Sequence, residues 1–514
     1  MLRARIIPRS RGDWLRVVQA VPILIALVQI LRCSGPAYIW VYLGLAIPLL
    51  RLAVSAADRR YFLSLIRCEW AHFEIFCVNR GPLPWRATFL LIVLPAGVFF
   101  LTNPRPLMTG DSKPIALIAS NLVQKGTTEL SSFAPLYAPV YHVPWALDMP
   151  YFCLRAKSGM YSSYPAGMCV FALPAAVVAR LLGSDLTEGG ILDRLEKSVA
   201  SWVAAACLGL FFLLALHLTD PRSAGLMTLL LATGSGLCST MAQALWQHGG
   251  VLFWMLTALL VEFRTWRNPR PSGILLQGVA LAMMFACRLA SAVLIATFGL
   301  WLLVRAPRRA VLVGLAASFA YVPWACYYYA IYGTVFGPSI HQMCMFTEQW
   351  RNTVVPLLLS PDHGLLVYQP WILLIAALVV PAVRRLRTSP TADAPAAWPW
   401  FCIVAIVSYL ALVSSWYCWW GGHCWGSRLV IETVPFFALL CLPAISALLR
   451  LMWGRRVLLA MVLLAAFVQL PGVYLKVDFR DTQPALIGAL PEPPGSWKHW
   501  PFLTPFVGSL HSYR

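Results

Sequence analysis

The feature that most constrains this chain is a series of apolar runs, each about 15 to 22 residues long, that recurs from one end of the sequence to the other. A helix of about 20 apolar residues spans the hydrocarbon core of a bilayer, where only helices and closed barrels satisfy every backbone polar group. Only 12% of the residues are charged, against about 25% in soluble domains. We therefore predict an all-α polytopic membrane protein, and a soluble enzyme is excluded.

Basic clusters set the orientation of the candidate spans, because arginine and lysine are enriched in cytoplasmic loops. The candidate spans are 17–33, 36–54, 87–101, 166–182, 199–218, 224–241, 249–263, 274–287, 289–304, 311–331, 364–383, 400–417, 429–449 and 456–473. The clusters assigned to the cytoplasm lie at 51–67, 264–270, 305–309, 384–387 and 450–456. The net charge of +20 is concentrated in such short loops and does not indicate nucleic-acid binding.

From residue 263 onward, the side of the membrane that the basic clusters assign to each loop agrees with the number of candidate spans between the loops. Between 164 and 263 the number of candidate spans disagrees with the assigned sides by one crossing. We expect one segment in that region not to cross, which leaves about 13 transmembrane helices.

Three parts of the chain follow from this orientation. Residues 1–86 form an N-terminal extension with two spans and a basic amphipathic segment, 58–86, predicted to lie on the cytoplasmic membrane surface. Residues 87–473 form a transmembrane catalytic region whose first outer loop is 102–165. Residues 474–514 are predicted to be a tail on the outer face.

The most unusual outer segment is 109–114 (TGDSKP), which follows an apolar run and contains Asp111. Two interpretations are open. Asp111 can cap the helix predicted from residue 115 to a stop near Gly126, because Asp is a preferred N-cap and Pro114 suits a first turn. Alternatively, a carboxylate at a membrane–water boundary can act as a base on a lipid-linked substrate.

Three further outer segments combine polar, aromatic and glycine residues. They are 161–167 (YSSYPAG) with Tyr164, 360–370 (SPDHGLLVYQP) with His363 and Tyr368, and 416–428 (WYCWWGGHCWGSR) with Trp420, Gly421, Gly422, His423 and Arg428. Structural interpretations exist for each, because aromatic residues form membrane belts, paired glycines mark turns and arginines snorkel to headgroups. The functional interpretation is a site in which an arginine binds a lipid phosphate and glycines permit close backbone approach.

Three residues in or beside other apolar runs are also unusual. His248 lies between two short apolar runs, where a lone histidine is more often structural than functional. Arg288 is either a functional intramembrane charge or the outer turn of a 274–287/289–304 hairpin. Glu432 is expected to pair with Arg428 four residues earlier on one helix face. Such pairing would lower the pKa of Glu432, and it therefore ranks below Asp111 as a base.

Taken in order, these segments resemble a known group. The order is an Asp in the first outer loop, then YPxG, ALWQHG, SPxxGLLVY, and WWGG followed by GxR and a proline. It resembles bacterial membrane glycosyltransferases of the GT-C superfamily and is similar to protein mannosyltransferases and aminoarabinose transferases, over about residues 87–450.

The resemblance implies inverting transfer of a sugar from a polyprenyl-phosphate donor to a cell-envelope acceptor, at the outer face of a bacterial plasma membrane. Asp111 matches the family's general base, and Arg428 matches the arginine expected to contact the donor phosphate. Tyr164 and His248 match positions without an assigned role. Ser112 stands where the family often has a second acidic residue, so no metal or cofactor is predicted.

We therefore expect one outer-face site with Asp111 as its catalytic base. The expected substrate-binding residues are Arg428, Lys113, Tyr164, His248, His363, Tyr368, Trp420, Gly421, Gly422 and His423. The expected partners are the polyprenyl-phosphate sugar, an envelope glycan, lipid or protein acceptor, and membrane lipids. Two other classes stay open: a transporter or flippase of a lipid-linked sugar, for which repeats or mid-membrane charges are typical, and an oligosaccharide ligase or polymerase.

Overall fold

The computed structural model describes most of residues 56–474. The described residues are 56–79, 81–103, 109–143, 146–156, 159–338, 346, 350–361, 363–373, 394–395, 397–422 and 424–474. The predicted spans 17–33 and 36–54, the second half of the predicted span 364–383 and the tail after Tyr474 lie outside them.

Helices account for most of the described residues, as the apolar runs predicted. They are α1 (Ala56–Asn79), α2 (Trp85–Leu101), α3 (Lys113–Lys125), α4 (Ala134–Tyr141), α5 (Cys169–Leu181), α6 (Gly189–Ala215), α7 (Pro221–Gly234), α8 (Gln247–Thr265), α9 (Pro271–Cys287), α10 (Ala292–Arg305), α11 (Pro307–Tyr332), α12 (Trp350–Leu359), α13 (Leu365–Tyr368), α14 (Trp398–Ser414), α15 (Val434–Leu449) and α16 (Met452–Tyr474). Single 3-10 segments precede several of them, including Gly110–Ser112 before α3 and Arg428–Thr433 before α15.

Two short antiparallel β-hairpins depart from the all-α prediction. In the first, β1 (His142–Val143) pairs with β2 (Ala146–Pro150), and in the second, β3 (Cys153–Ala156) pairs with β4 (Gly159–Ser162). Both hairpins lie in the predicted first outer loop, 102–165. Only the hydrocarbon core restricts a chain to helices and closed barrels, and a loop outside it is free to pair strands.

Four of the described helical segments are long and apolar enough to cross a membrane: Gly189–Ala215, Pro307–Tyr332, Arg428–Leu449 and Met452–Tyr474. Shorter apolar helices include α2, α5, α9 and α14. In α6, 83% of the most apolar stretch is buried, against 6% in α11. Thus α6 is central in the bundle and α11 lies at its periphery. The number of crossings, predicted as about 13, stays a prediction.

Arginine residues gather at one end of the bundle, which we call the basic end. There Glu262, near the end of α8, pairs with Arg305 at 3.1 Å and with Arg309 at 2.8 Å. His248 lies 14 residues earlier in the same helix, about 21 Å away at 1.5 Å per residue. The opposite end, which carries His248 and Asp111, is the Asp111 end.

Both ends of α5 lie at the Asp111 end. Just before α5, the Tyr164 hydroxyl donates to the Asp111 carboxylate at 2.8 Å. Shortly after it, Asp193 at the start of α6 pairs at 2.6 Å with Lys113, two residues from Asp111. With 13 residues, α5 is about 20 Å long, so it runs along this end of the bundle. It is therefore a candidate for the segment between 164 and 263 that is expected not to cross, which stays a prediction.

The predicted surface segment 58–86 contains the helix α1, which packs at the basic end. The Phe73 ring lies 4.8 Å from Phe212 of α6, and the Phe76 ring lies 5.4 Å from His217. Both phenylalanines are buried, whereas Leu63 on the same helix is exposed. Part of the apolar face of α1 therefore packs on the bundle.

Close packing of α9 against α11 leads to the first prediction. An added Cβ at Gly278 would lie 2.5 Å from the Ala316 Cβ and 2.8 Å from its backbone, and overpacking costs about 1–3 kcal/mol. We expect Gly278→Ala to lower the thermal unfolding midpoint in detergent.

The matched control for this substitution is Gly314→Ala, on the exposed face of α11. No described atom lies within 4 Å of an added Cβ at Gly314, and alanine favours a helix over glycine by up to about 1 kcal/mol. The midpoint of this control should stay or rise. Equal shifts for the two variants would contradict the packing of α9 on α11.

Candidate functional site

Asp111 does not cap the helix that follows it. It lies in the 3-10 turn Gly110–Ser112, and the N-cap residue of α3 is Ser112. The Asp111 carboxylate instead accepts hydrogen bonds from side chains outside this turn, so the capping interpretation is wrong. The local helix prediction is otherwise confirmed, because Pro114 lies in the first turn of α3 and Gly126 ends it with φ 67°.

Three donors hold the Asp111 carboxylate. Arg428 donates from Nη1 to Oδ2 at 2.8 Å, and the Tyr151 and Tyr164 hydroxyls each donate to Oδ1 at 2.8 Å. Asp111 and Arg428 are 317 positions apart in the chain. The Asp111 side chain is 23% exposed, whereas that of Arg428 is 9% exposed. The carboxylate is therefore open on one side to a ligand.

These donors set the ionisation of the cluster. Burial alone would raise the pKa of Asp111, but the Arg428 charge and the hydrogen bonds from Arg428, Tyr151 and Tyr164 outweigh it and lower the pKa below 3.8. Burial and the Asp111 charge raise the pKa of Tyr151 and of Tyr164 well above 10.0. Near neutral pH the site therefore has an ionised carboxylate and two protonated phenols.

The Arg428 guanidinium lies over an indole ring. Its Cζ is 3.9 Å from the Trp246 ring centroid, which is a cation–π contact. Nη1 is used by Asp111, while the buried Nε has no hydrogen-bond partner among the described residues.

Two further buried polar atoms lie beside Arg428. Ser427 Oγ and Gln369 Oε1 also have no partner among the described residues, and both side chains line the same narrow crevice as Arg428. Buried polar groups are almost always hydrogen-bonded. Three such atoms, including the Arg428 Nε, line one crevice that is too narrow for a water molecule, so a polar ligand would reach them only after the crevice widens.

The paired glycines lie next to this arginine. Gly421 and Gly422 have φ of 84° and 71°, the left-handed region that glycine adopts without steric cost. An added Cβ at Gly421 would lie 3.2 Å from the Leu429 Cγ and 3.5 Å from the Arg428 Nε. Gly421 thus lies in the predicted turn, and its backbone packs against the Arg428 side chain.

A second buried cluster surrounds Glu432. Arg288 Nη1 donates to Glu432 Oε1 at 2.7 Å and to the Tyr409 hydroxyl at 2.8 Å. His248 Nδ1 lies 2.7 Å from the same Glu432 oxygen. Because both Nη1 protons are used, His248 Nδ1 is the donor to Glu432. Arg288 follows the last residue of α9, so it both marks the predicted helix break and holds a buried carboxylate.

The predicted Arg428–Glu432 pair is wrong. Residues Arg428–Thr433 form a 3-10 segment, in which residues three apart are aligned and a residue four apart faces elsewhere. Arg428 pairs with Asp111, and Glu432 pairs with Arg288. Pairing with arginine therefore does not distinguish Asp111 from Glu432 as a base. Exposure does, because the Glu432 side chain is 0% exposed.

Lys113 lies inside the protein, away from the Asp111 carboxylate. Its Nζ donates to Asp193 at 2.6 Å and to Glu196 at 2.9 Å, and its side chain is 2% exposed. Burial would lower the pKa of Lys113, but these two carboxylates raise it above 10.5. Its contacts thus connect α3 to α6, and its predicted role in substrate binding stays a prediction.

The other predicted site residues support the 416–428 loop. His363 Nδ1 donates to the Gly426 carbonyl at 3.2 Å, and the buried Tyr368 ring meets the Trp425 ring edge-on at 5.6 Å. Trp420 is half-buried beside Trp419, and His423 lies outside the described residues.

Two site residues were missed by sequence reasoning. Tyr151 lies between the two hairpins, and nothing in the sequence distinguishes it from the other aromatic residues of that loop. Trp246 belongs to the ALWQHG segment that carries His248, so its motif was recognised without its contact. Among the residues that the structure describes, no three His, Cys, Asp or Glu side chains come together as possible metal ligands.

Comparison with known proteins gives distant structural matches. No protein-family model matches the chain, and no curated protein matches it. The apo form of the Archaeoglobus fulgidus oligosaccharyltransferase matches with a TM-score of 0.47 and 11% identity, over 75% of this chain and 55% of that one. Its complex with Zn and sulfate matches with a TM-score of 0.39 and 14% identity, over 74% and 52%. The chain thus spans about half the length of the enzyme it matches.

The buried Lys113 contacts lead to the second prediction. Lys113→Met leaves the Asp193 and Glu196 carboxylates together without their cation, and removing one partner of a buried ion pair costs about 3–5 kcal/mol. We expect a large fall in the thermal unfolding midpoint in detergent. The control Lys125→Met, at the exposed end of the same helix, should change stability by less than about 0.5 kcal/mol.

A double variant separates the two roles of Lys113. Glu196→Gln added to Lys113→Met removes one of the uncompensated charges and should recover part of the lost stability. Unchanged stability of Lys113→Met together with lost ligand binding would instead assign Lys113 to the substrate.

Proposed function

We propose that this protein is an inverting glycosyltransferase of the GT-C type. It would move a sugar from a polyprenyl-phosphate donor to a cell-envelope acceptor at the outer face of a bacterial plasma membrane. The contact between Asp111 and Arg428 carries the proposal. The sequence resemblance assigns a base and a phosphate-binding arginine to two residues 317 positions apart, and their side chains lie 2.8 Å from each other.

The site has the groups that a single displacement needs. An acceptor hydroxyl attacks the anomeric carbon, and its proton passes to Asp111 as the new carbon–oxygen bond forms. The bond between the anomeric carbon and the phosphate oxygen breaks from the opposite face, and the polyprenyl phosphate leaves with the electron pair. Arg428 stabilises the charge that develops on that phosphate. Attack opposite the leaving group inverts the anomeric centre.

Arg428 has a free edge for the phosphate. Nη1 is bound to Asp111, and the unpartnered Nε lies on the crevice shared with Ser427 and Gln369. Arginine binds phosphate through two parallel N–H donors. A phosphate that widened this crevice and bound at Nε would therefore lie beside the same guanidinium that holds the base.

Sharing one guanidinium links donor binding to base strength. In the free site Arg428 lowers the pKa of Asp111, which makes the carboxylate a weak base. A donor phosphate on Arg428 adds a negative charge and competes for the guanidinium, so it raises the pKa of Asp111. The base would then be strongest when the donor is present.

The distribution of charge favours an enzyme over a transporter. The Arg288–Glu432 pair and the Asp111–Arg428 pair both lie at the Asp111 end of the bundle, whereas transport sites lie near mid-membrane. The positive-inside rule assigns the basic end to the cytoplasm, and the Asp111 end is then outside.

Two variants test the proposed roles separately. Asp111→Asn should reduce sugar transfer by a factor on the order of 10² to 10⁴ and should not weaken binding of undecaprenyl phosphate, because Arg428 then loses the carboxylate that competes with the phosphate. Arg428→Gln should weaken that binding about ten- to hundredfold, since it removes a charged hydrogen-bond donor. Transfer is measured with labelled lipid-linked sugars extracted from the source membranes, and binding with undecaprenyl phosphate alone.

Asp148→Asn is the matched control, because Asp148 lies in the same outer loop and is exposed beside Arg155. It should leave transfer and binding unchanged. Full transfer activity in Asp111→Asn would refute the base, and unchanged affinity in Arg428→Gln would refute the phosphate contact.

The shared guanidinium also predicts a difference between two pH profiles. The kcat/KM profile reports on the free enzyme, in which the Asp111 carboxylate stays ionised to below pH 3.8. The kcat profile reports on the complex, in which the donor phosphate raises that pKa. The loss of activity on acidification should therefore begin at higher pH in kcat than in kcat/KM. Coincident acid limbs would contradict competition for Arg428.

A further inference from the structure

One oxygen of the Asp111 carboxylate has no unused acceptor position. An ionised carboxylate offers about four lone-pair sites, two on each oxygen. Oδ1 accepts from the Tyr151 and Tyr164 hydroxyls, and Oδ2 accepts from Arg428. In an inverting displacement the acceptor approaches from the side opposite the phosphate, so Oδ1, the oxygen not bound to Arg428, is the one left for it. An acceptor hydroxyl must therefore replace one of the two phenols.

The two phenols are held to different degrees. Tyr164 is half-buried, and its backbone N–H donates to Ser162 Oγ at 2.9 Å while its carbonyl accepts from the same hydroxyl at 2.8 Å. Tyr151 is 38% exposed. Its ring meets the Tyr141 and Phe152 rings edge-on, with centroids 6.2 and 5.9 Å apart. An acceptor that arrives from solvent thus meets Tyr151 first.

The turn that carries Asp111 is shaped to admit the Tyr151 hydroxyl. An added Cβ at Gly110 would lie 2.5 Å from the Tyr151 Oη and 2.6 Å from its Cζ, which is too close for any side chain at this position. The Tyr151 backbone N–H donates to the Tyr141 carbonyl at 2.7 Å, which anchors the residue between β2 and β3. The contact between the phenol and the carboxylate therefore depends on glycine at position 110.

Occupation of Oδ1 matters because the sugar donor can also react with water. A carboxylate base can take a proton from water as well as from an acceptor hydroxyl, and exclusion of water prevents such side reactions. The Tyr151 oxygen lies 2.8 Å from Oδ1, where the oxygen of a reacting water would have to lie. While the phenol is bound there, water is kept from that position.

We propose that Tyr151 reserves Asp111 for the acceptor: its hydroxyl excludes water from the base until the acceptor hydroxyl displaces it. This inference rests on the proposed glycosyl transfer. Without the phenol, water gives a proton to Oδ1 and its oxygen bonds to the anomeric carbon. The bond from that carbon to the phosphate oxygen breaks, and the polyprenyl phosphate leaves with the electron pair. The products are free sugar and polyprenyl phosphate, and Asp111 returns its proton to solvent.

Hydrolysis of the donor without added acceptor tests the role of Tyr151. The purified full chain in detergent is incubated with the labelled lipid-linked sugars, and free sugar is separated from lipid by solvent partition. Tyr151→Phe leaves a space the size of one oxygen beside Oδ1. Its hydrolysis should be about tenfold faster than that of wild type, since a hydrogen bond to a charged group contributes about 1.5 kcal/mol. Sugar transfer should be retained, because Asp111 is intact.

Tyr164→Phe separates the opening of the site from the strength of the base. It removes a hydrogen bond from the same oxygen, so both variants raise the pKa of Asp111, but it leaves Tyr151 in place on the exposed side. Hydrolysis should therefore rise more in Tyr151→Phe than in Tyr164→Phe. Tyr141→Phe removes a neighbouring hydroxyl that does not bond to Asp111, and it should hydrolyse the donor at the wild-type rate.

Gly110→Ala is a second test variant, because its Cβ displaces the phenol instead of removing it. Its hydrolysis should also rise. The double variant Asp111→Asn/Tyr151→Phe should lose the increase, because water then enters a site without a base. Thermal unfolding midpoints in detergent show that each variant is folded.

Three results would overturn the proposal. Wild-type hydrolysis in both Tyr151→Phe and Gly110→Ala would show that the phenol does not exclude water. An equal rise in Tyr164→Phe would assign the effect to base strength. Loss of transfer in Tyr151→Phe without faster hydrolysis would make the phenol part of the proton path. The proposed function fails separately, through full transfer in Asp111→Asn, and none of these three results requires that outcome.

Discussion

The ion pair between Asp111 and Arg428 is the interaction on which the Asp111 end depends. A buried arginine without a counter-charge costs several kcal/mol, and the Arg428 side chain is only 9% exposed. Asp111 therefore allows the 428–433 segment to pack inside the bundle, over Trp246. The same contact joins the first outer loop to the last third of the chain and holds the carboxylate in its ionised form.

Two neighbouring clusters at the Asp111 end also pair buried acidic side chains with basic ones. His248 and Arg288 converge on Glu432, which ties the starts of α8 and α15 to the end of α9. Trp246 precedes His248 by two residues, so this cluster fixes the position of the indole ring under Arg428. Glu432 follows Arg428 by four residues, so the cluster also fixes the backbone of the segment that contains Arg428. Lys113 connects α3 to α6 through Asp193 and Glu196. In each cluster acidic and basic side chains are paired.

Sequence reasoning was most successful where the backbone responds to its immediate surroundings. The start of α3 at Lys113 and its end at Gly126 agree with the proline and glycine signals. Sequence reasoning gave a wrong side-chain pair where it assumed a regular α-helix. The spacing of Arg428 and Glu432 indicates a pair only on an α-helix, and the segment is 3-10. The two hairpins were missed because the chain outside the hydrocarbon is under no requirement to be helical.

What the sequence by itself determined is the helical membrane architecture and the segments that carry unusual polar residues. These follow from local composition, because the hydrocarbon core accepts only apolar, internally hydrogen-bonded segments. Only the tertiary structure decided which polar residues meet. Asp111 has Arg428, Tyr151 and Tyr164 as partners, whereas Lys113, two residues away, faces Asp193 and Glu196. Such partners are selected by the packing of helices from distant parts of the chain, and no local spacing rule contains that information.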